Sequence, residues 1–185
     1  MSVYSITNRY AKALLTQAEE SNQFEVVGND MSLIYETLEK SKELRVALES
    51  PVINEEKKNI ILKEIFGSLI CKETANFLEF LIRKNREDLL FEISKHFLEM
   101  KDEKLNIVHA TVTSAVDLSD SEKDLFKNKL EEYSNKNVLL DFKIDNRIIG
   151  GFVVRMKDKM LDASIIHQLD VLRKRLIKAD QSLVN

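Results

Sequence analysis

The spacing of apolar residues changes near residue 105. Over residues 5–102 they recur every three or four positions, which is the spacing of helices that bury one face. The segment 105–113 is instead rich in β-branched residues and partly alternates between apolar and polar, which is typical of a strand. The change predicts two domains, a helical one over residues 1–104 and a smaller α+β one over residues 105–185.

Six segments of the first domain have helical spacing. The chain has 1 Pro and 4 Gly in 185 residues, so few residues interrupt its helices. Pro51 ends the third segment, because the residue before a proline is pushed out of the α region. Asn54 is suited to the N-cap of the fourth segment. The predicted helices span residues 6–21, 24–40, 44–48, 55–66, 73–84 and 86–101.

Two of the 4 glycines, Gly150 and Gly151, are adjacent and lie between two apolar, β-branched runs, 138–144 and 152–156. Glycine adopts positive φ without a steric penalty, so the pair marks a turn, a bulge or a close backbone approach. The two runs are predicted as strands around that turn, and residues 163–178 as a final helix. The second domain is therefore predicted to contain a β-hairpin and a C-terminal helix.

The sequence contains no recognisable motif for catalysis, cofactor binding or metal binding. It has no glycine-rich phosphate loop, and its three histidines are far apart, without Cys or Glu at metal-ligand spacing. Asp145 and Asp162 could form a carboxylate pair, but turn and cap hydrogen bonds explain both more simply. We therefore expect no catalytic residue, no cofactor and no metal site. Cys71, the single cysteine, is interpreted as a small buried hydrophobe.

Charge and hydropathy argue against nucleic-acid binding and against a membrane span, so any contact with a membrane is expected to go through partners. The formal net charge is −3, which does not favour nucleic-acid binding. No stretch reaches the roughly 18 uncharged apolar residues that a membrane span needs, and the N-terminus does not resemble a signal peptide. Basic clusters at residues 83–86 and 173–178 are interpreted as solvated helix surfaces, or else as sites for an acidic partner helix.

Two helices carry more apolar surface than docking on a core requires. In the first, the line of Tyr10, Leu14 and Ala18 is extended on one side by Ala11 and Leu15 and on the other by Ala13. The apolar stripe is therefore about twice as wide as the ~100° that docking requires. In the fifth, Phe80 points away from the core positions, with Asn76 beside it. Either both helices are buried nearly all round, or part of this surplus forms an open groove for a partner's amphipathic helix.

Five segments carry a family resemblance, in the same order along the chain as in the family. They are Arg9-Tyr10-Ala11-Lys12-Ala13-Leu14, residues 48–62, residues 77–86, Thr113-Ser114-Ala115 with Leu118-Ser119, and residues 144–154 with Leu161-Asp162-Ala163-Ser164. Together they resemble the delta subunit of F-type ATP synthases, whose mitochondrial counterpart is the oligomycin-sensitivity-conferring protein. Three turn positions depart from the family pattern: Asn146, Lys157 and Ala163 replace a common Pro, Gly and Gly.

The resemblance implies a mainly α protein of two domains, in which a six-helix bundle precedes the α+β domain. It also implies a non-catalytic stator subunit that links the alpha/beta catalytic head to the b-subunit peripheral stalk, so that rotation driven by proton flow yields ATP. One copy per complex would bind the N-terminal helix of an alpha subunit between its first and fifth helices. The second domain would bind the C-terminal ends of the b subunits. The complex would hold the protein at the cytoplasmic face of the bacterial plasma membrane, as a peripheral protein without direct membrane insertion.

The apolar surplus of the first and fifth helices coincides with the groove that the family implies. The expected contacts are Tyr10, Ala13, Leu14, Asn76 and Phe80 for the head, and Phe152, Arg173 and Arg175 for the stalk. Two other hypotheses stay open at this point. One is a stand-alone helical adaptor or regulator that binds partner helices or RNA, and the other is a small hydrolase that uses Asp145 and Asp162.

Overall fold

The structure, a computed structural model, describes residues 3–157 and 159–183, with side chains as far as residue 175. The chain divides into two compact units, Met1–Leu105 and Asn106–Asn185. In the described part of the chain, no helix combines the length and the apolar character that crossing a membrane requires.

The first unit contains six α-helices. They are α1 (Val3–Glu20), α2 (Phe24–Lys40), α3 (Lys42–Glu49), α4 (Glu55–Phe66), α5 (Lys72–Arg83) and α6 (Leu90–Lys104). Two of these helices, α3 and α4, have a side-chain N-cap, because the free N–H groups in the first turn of a helix need acceptors. Ser41 Oγ accepts from the N–H of Leu44 at 3.2 Å, and Asn54 Oδ1 accepts from the N–H of Lys57 at 3.0 Å.

The segment predicted as one helix over residues 86–101 is not a single α-helix. It begins as a 3₁₀ turn, Glu87–Leu89, and α6 follows. The turn places Glu87 against Lys58 of α4, with 2.7 Å between Oε1 and Nζ, and both side chains are buried. This ion pair accounts for the inward position of a charged residue, which a helical surface pattern would place in solvent.

α6 lies at the centre of the bundle and packs along α1 and α2. Its Leu90, Ile93 and Phe97 are completely or almost completely buried. Gly28 of α2 is also buried, and the side chain of Lys101 from α6 crosses so close to it that a Cβ would collide. Other buried side chains of this core include Leu14, Met31, Ile34, Leu38, Phe66 and Leu81.

A buried carboxylate ties α2 to the start of α5. Asp30 Oδ2 accepts hydrogen bonds from the N–H of Cys71 and from Oγ1 of Thr74, both at 2.8 Å. Cys71 precedes α5 and makes no side-chain cap of its own, so a residue of another helix supplies the acceptor. The negative charge is also favoured by the dipole at that helix end. These bonds help to fix α5, the helix that carries Asn76 and Phe80.

The second unit is a four-stranded mixed sheet with two helices. The elements are β1 (Ile107–Ser114), α7 (Asp120–Ser134), β2 (Asn137–Ile144), β3 (Phe152–Met156), β4 (Lys159–Asp162) and α8 (Ile165–Leu183). A 3₁₀ turn, Asn146–Ile148, lies between β2 and β3. The mainly α fold, with a six-helix bundle followed by a small α+β unit that has a hairpin and a final helix, is as the sequence predicted.

The strand order is β2-β1-β3-β4, and β1 is an inner strand. β1 pairs in parallel with β2 and antiparallel with β3, so the two strands around Gly150 and Gly151 flank β1 and do not pair with each other. The hairpin predicted around these two glycines is therefore wrong, because β1 lies between its two strands. α7 provides the crossover that a parallel pair needs. The hairpin of the unit is β3–β4, where Val154 lies opposite Leu161. β4 was not predicted, because its four residues include no β-branched side chain.

The core of the second unit is small. Its buried apolar side chains are Val108, Ala110, Val112, Val138 and Val154. Among the described side chains, α7 has none that is fully buried. The sheet supplies most of this core, and the two helices of the unit keep much of their apolar surface uncovered.

Candidate partner-binding surfaces

α1 and α5 approach each other through Tyr10 and Phe80, whose ring centroids are 6.1 Å apart with planes inclined at 55°. Close packing within the described residues places α1 against α6 and α5 against α4, so the two rings connect helices that are not packed along their length. Phe80 is 38% exposed and Tyr10 is half-buried. A pair of aromatic rings therefore lies at the surface between these helices.

Two further predicted head contacts adjoin the ring pair. Ala13 lies one turn from Tyr10 on α1, Asn76 lies one turn from Phe80 on α5, and both are exposed. We refer to Tyr10, Ala13, Asn76 and Phe80 as the α1/α5 surface. Leu14 differs from these four, because only 1% of it is exposed and it belongs to the core of the bundle. It supports the surface from beneath.

The structure contradicts one interpretation of the apolar surplus, namely that both helices are buried nearly all round. α1 buries Ala11, Leu15 and Ala18 against its neighbours, which already provides a full docking face. Ala13 and Phe80 remain exposed in addition to the buried faces of their helices. The helices are therefore not buried all round, and the surplus is uncovered apolar surface.

Charged side chains border the α1/α5 surface on the α5 side. The ammonium of Lys84 lies 5.9 Å from the centroid of the Phe80 ring. Glu79 accepts a hydrogen bond from Lys63 at 2.7 Å, and this bond and the lysine charge hold the pKa of Glu79 below its ordinary value. An apolar centre with charged groups at its edge is the usual composition of a protein–protein contact.

In the second unit, Gly150 and Gly151 bring the turn between β2 and β3 close to the start of α8. Gly151 has φ +76°, and a Cβ there would collide with the carbonyl oxygen of Ala163. The N–H of Ile165 donates to the carbonyl of Gly150 at 2.9 Å. The predicted turn with a close backbone approach is confirmed. Ile149 also has positive φ, at +66°, an unusual conformation for a β-branched residue, and its side chain is 64% exposed.

Asp145 and Asp162 are each occupied by local hydrogen bonds. Asp145 accepts from the N–H of Arg147 at 3.0 Å and from its guanidinium at 2.8 Å, and these bonds lower the pKa of Asp145. Asp162 accepts from the hydroxyl of Ser164 at 2.6 Å and from its N–H at 3.0 Å, which lowers the pKa of Asp162. Both carboxylates are stabilised in the ionised form, so neither is suited to donate a proton. Turn and cap roles account for both residues.

One face of α8 is apolar and exposed. Its side chains are Ile165, Ile166, Leu169 and Leu172, and each is between 43% and 55% exposed. A helix was predicted over residues 163–178, but the stalk contacts expected on it were Arg173 and Arg175 and not these apolar side chains. Periodicity shows that a helix has an apolar face and does not show whether the fold covers that face. Leu176 and Ile177, which continue the stripe in sequence, lie outside the described side chains.

The structure places the three predicted stalk contacts on two different elements. Phe152 is half-buried at the start of β3, and its ring packs edge-on against Phe126 of α7 with centroids 4.9 Å apart. Arg173 and Arg175 are exposed on α8, where the neighbouring Lys174 pairs with Asp170 one turn earlier at 3.5 Å. The arginines therefore border the apolar face of α8, whereas Phe152 belongs to the sheet.

The remaining candidates for chemistry are inert. Cys71 is half-buried, its Sγ lies 3.3 Å from Oγ1 of Thr74, and burial raises the pKa of its thiol, so little reactive thiolate forms at neutral pH. In the part of the chain that the structure describes, no group of three or more His, Cys, Asp or Glu residues is placed to hold a metal ion.

The family model described as "ATP synthase delta (OSCP) subunit" matches residues 6–176 of the chain. The chain belongs to this family. The ATP synthase subunit delta of Chlorobium phaeovibrioides is 39% identical over 180 residues, which cover 97% of this chain and 99% of that protein. The subunit delta of Salinibacter ruber is 37% identical over 182 residues, or 98% and 96% of the two chains.

A solved structure supports the fold. A chain in the cryo-EM structure of the Toxoplasma gondii mitochondrial ATP synthase hexamer superposes with a TM-score of 0.69 at 21% identity, covering 92% of this chain and 97% of that one. Family membership makes the chain a non-catalytic stator subunit of an F-type ATP synthase. It belongs to the peripheral stalk of a complex that synthesises ATP and transports protons. The stand-alone regulator and hydrolase hypotheses are thereby replaced.

Proposed function

We propose that the two units of the chain bind two different partners within the ATP synthase. The α1/α5 surface receives the N-terminal helix of an alpha subunit, and α8 with its neighbouring turn receives the C-terminal ends of the b subunits. The chain then connects the catalytic head to the stalk and resists the torque of rotation. As part of that complex, it is held peripherally at the cytoplasmic face of the bacterial plasma membrane.

The exposed ring pair of Tyr10 and Phe80 is the observation that supports the head contact most strongly. A partner helix presents apolar side chains at three- and four-residue spacing, and aromatic rings at a groove are common anchors for them. Ala13 adjoins the rings on α1, and its small side chain lets a guest backbone approach closely. Phe80 loses its remaining exposure when a helix covers it, which supplies apolar burial without any change in the core.

The exposed face of α8 supports the stalk contact. An amphipathic helix with four apolar side chains about half in water buries that face when a second helix packs against it. Arg173 and Arg175 border the face and would meet acidic groups of the partner. We assign Phe152 a smaller part in this contact, because its ring is already packed against Phe126.

Calorimetric titration of the full chain with a peptide of the ~20 N-terminal residues of the alpha subunit from the same organism tests the head contact. We expect binding with one peptide per chain. Phe80→Asp and Ala13→Arg each place a charge in the apolar contact, so affinity should fall by about tenfold or more. Neither residue is in the core, so the variants should keep the helix content of the parent chain.

Val46→Asp is the matched control, because Val46 is 54% exposed on α3, which packs on α2. It should bind the peptide as the parent chain does. If Phe80→Asp and Val46→Asp bind equally well, the α1/α5 surface is not the site. If the folded parent chain does not bind the peptide, the head contact lies elsewhere.

A further inference from the structure

α7 meets the β3–β4 hairpin at two separate points. At one, the rings of Phe126 and Phe152 are in edge-to-face contact, with centroids 4.9 Å apart. At the other, seven residues further along α7, the ammonium of Lys159 lies 5.6 Å from the centroid of the Tyr133 ring. Seven residues correspond to about 10 Å of helix. The helix is therefore supported at both ends of this stretch, and a cavity lies between the supports.

The cavity has a volume of about 540 Å³ and a mostly apolar lining. Val154 and Met156 project into it from the same face of β3 as Phe152, because alternate side chains of a strand share a face. Leu130 lines it from α7, and Met160 and Leu161 line it from β4. Leu161 is 58% exposed, so part of this apolar lining is in contact with water. The volume is within the range of small-molecule sites, which is about 300–1,000 Å³.

The cationic groups of the cavity lie on the side of Tyr133. Lys159 is at that end, and Lys129 is on α7 one turn after Phe126 and one turn before Tyr133. A second hollow of about 470 Å³ shares Tyr133, Met156 and Lys159 with the first and adds Lys136 and Lys157. None of the described residues that line either space is acidic. The site thus has an apolar end at Phe126 and Phe152 and a cationic end at Tyr133.

We propose that this cavity binds a free straight-chain carboxylate of the fatty-acid type. The hydrocarbon chain lies against Leu130, Val154 and Met156, and the carboxylate faces Lys129 and Lys159. Charge complementarity favours an anionic head group over a neutral one. A partner helix is the wrong shape for the same space. An α-helix with side chains is about 10–12 Å across, and seating one would separate both contacts between α7 and the hairpin.

Calorimetric titration of the full chain with the sodium salts of C8, C10 and C12 straight-chain carboxylates, below their micelle-forming concentrations, tests the proposal. Affinity should rise about fourfold for each added methylene group until the cavity is filled. The alcohol of equal length should bind about fivefold more weakly than the carboxylate, since it lacks the charge that the lysines attract. Lys129→Gln should weaken carboxylate binding more than alcohol binding, and unlike a change at Lys159 it leaves both contacts between α7 and the hairpin in place.

Leu161→Glu places a negative charge in the lining and should reduce carboxylate affinity at least tenfold. Leu125→Glu is the matched control, because Leu125 is also 58% exposed but lies outside the cavity lining. Equal binding by these two variants would overturn the proposal. The proposal would also be overturned if no free carboxylate bound. That includes the case in which only anionic lipid vesicles bind, and the case in which only a stalk peptide covers the cavity residues. If Leu161→Glu does not fold, the comparison of carboxylate and alcohol binding by Lys129→Gln decides the outcome.

Discussion

α6, with 15 residues, and α8, with 19, are both amphipathic helices, but the apolar face of α6 is buried and that of α8 is exposed. Leu90, Ile93 and Phe97 of α6 are at most 1% exposed, whereas Leu169 and Leu172 of α8 are more than half exposed. The apolar stripes are comparable in sequence, so the difference arises from what the rest of each unit provides. In the first unit α6 packs along both α1 and α2, whereas among the described residues of the second unit the main neighbour of α8 is the turn between β2 and β3.

This difference separates a part of the chain that covers its own apolar surface from a part that leaves apolar surface exposed. Burial of apolar surface is the main stabilising contribution to a fold, so the first unit derives most of its stability from packing within the unit. The second unit has a small sheet core and leaves its helices partly uncovered. A stator subunit has to be held by the partners that it connects, and uncovered apolar surface on both units is suited to that role.

The largest expected effect is a difference in core stability between the units. Phe97→Ala removes a completely buried ring at the centre of the bundle and should lower the free energy of unfolding of the first unit by about 3–5 kcal/mol. Phe126→Ala removes a half-buried ring of α7 and should lower the free energy of unfolding of the second unit by only about 1–2 kcal/mol. Urea unfolding followed by hydrogen exchange in each unit measures both. Equal losses would show that the cores do not differ as described.

A second prediction concerns the uncovered face of α8. Leu169→Asp should change the stability of the free chain by no more than about 0.5 kcal/mol, because the side chain is 55% exposed. The same change should weaken binding of a peptide from the C-terminal end of the b subunit about tenfold or more. Leu125→Asp, at a comparably exposed position on α7, is the control and should leave binding unchanged. A large loss of stability in Leu169→Asp would mean that the face is covered within the chain.

Acid should affect the start of α8 through Asp162. Because hydrogen bonds from Ser164 lower the pKa of Asp162 in the folded chain, its stabilising contribution is present above the ordinary value of 3.8. It is lost as the pH falls through the lower, folded pKa. The protection factors of the amides of residues 164–168, which correct for the intrinsic pH dependence of exchange, should therefore fall below pH 3.8 in the parent chain.

Asp162→Ala should already show faster exchange there at pH 7, with a weaker dependence on acid. Asp124→Ala, at an exposed position on α7, serves as the control. If Asp162→Ala and the parent chain respond to acid alike, the cap does not stabilise the start of α8.

The smallest expected effect is a gain in stability at Lys157. This residue follows β3 and has φ +49°. The delta-subunit family commonly has glycine at this position. Lys157→Gly should raise the free energy of unfolding of the second unit by about 0.5–1 kcal/mol, because glycine adopts this conformation without a Cβ clash. Lys143→Gly, within β2, should have the opposite effect. A loss of stability in Lys157→Gly would show that the lysine side chain contributes more than its backbone conformation costs.

Local patterns predicted much of this fold. The period of the apolar residues gave the six helices of the bundle, and the β-branched runs gave β1, β2 and β3. The pairing of β2 and β3 with β1 was not predictable, because strand partners are set by contacts distant in sequence. β4 has no strand-like composition, and the 3₁₀ turn at Glu87 depends on Lys58, 29 positions earlier.

The candidate sites were also only partly predictable from the sequence. The excess of apolar residues on α1 and α5 predicted Ala13 and Phe80 as surface contacts, because each helix has more apolar residues than one docking face can use. Leu14 was also selected, but it belongs to the docking face and is buried. The α8 face was not selected, since its stripe looks the same in sequence whether the fold covers it or not.

Hydrogen exchange of the full chain tests the central claim most directly. It would be measured alone, with the alpha-subunit N-terminal peptide, with the C-terminal segment of the b subunit, and with both. The account predicts that the alpha peptide protects α1 and α5, that the b segment protects α8, and that both effects persist together. Competition between the two partners, or protection of the same unit by both, would contradict a chain that connects head and stalk through separate surfaces.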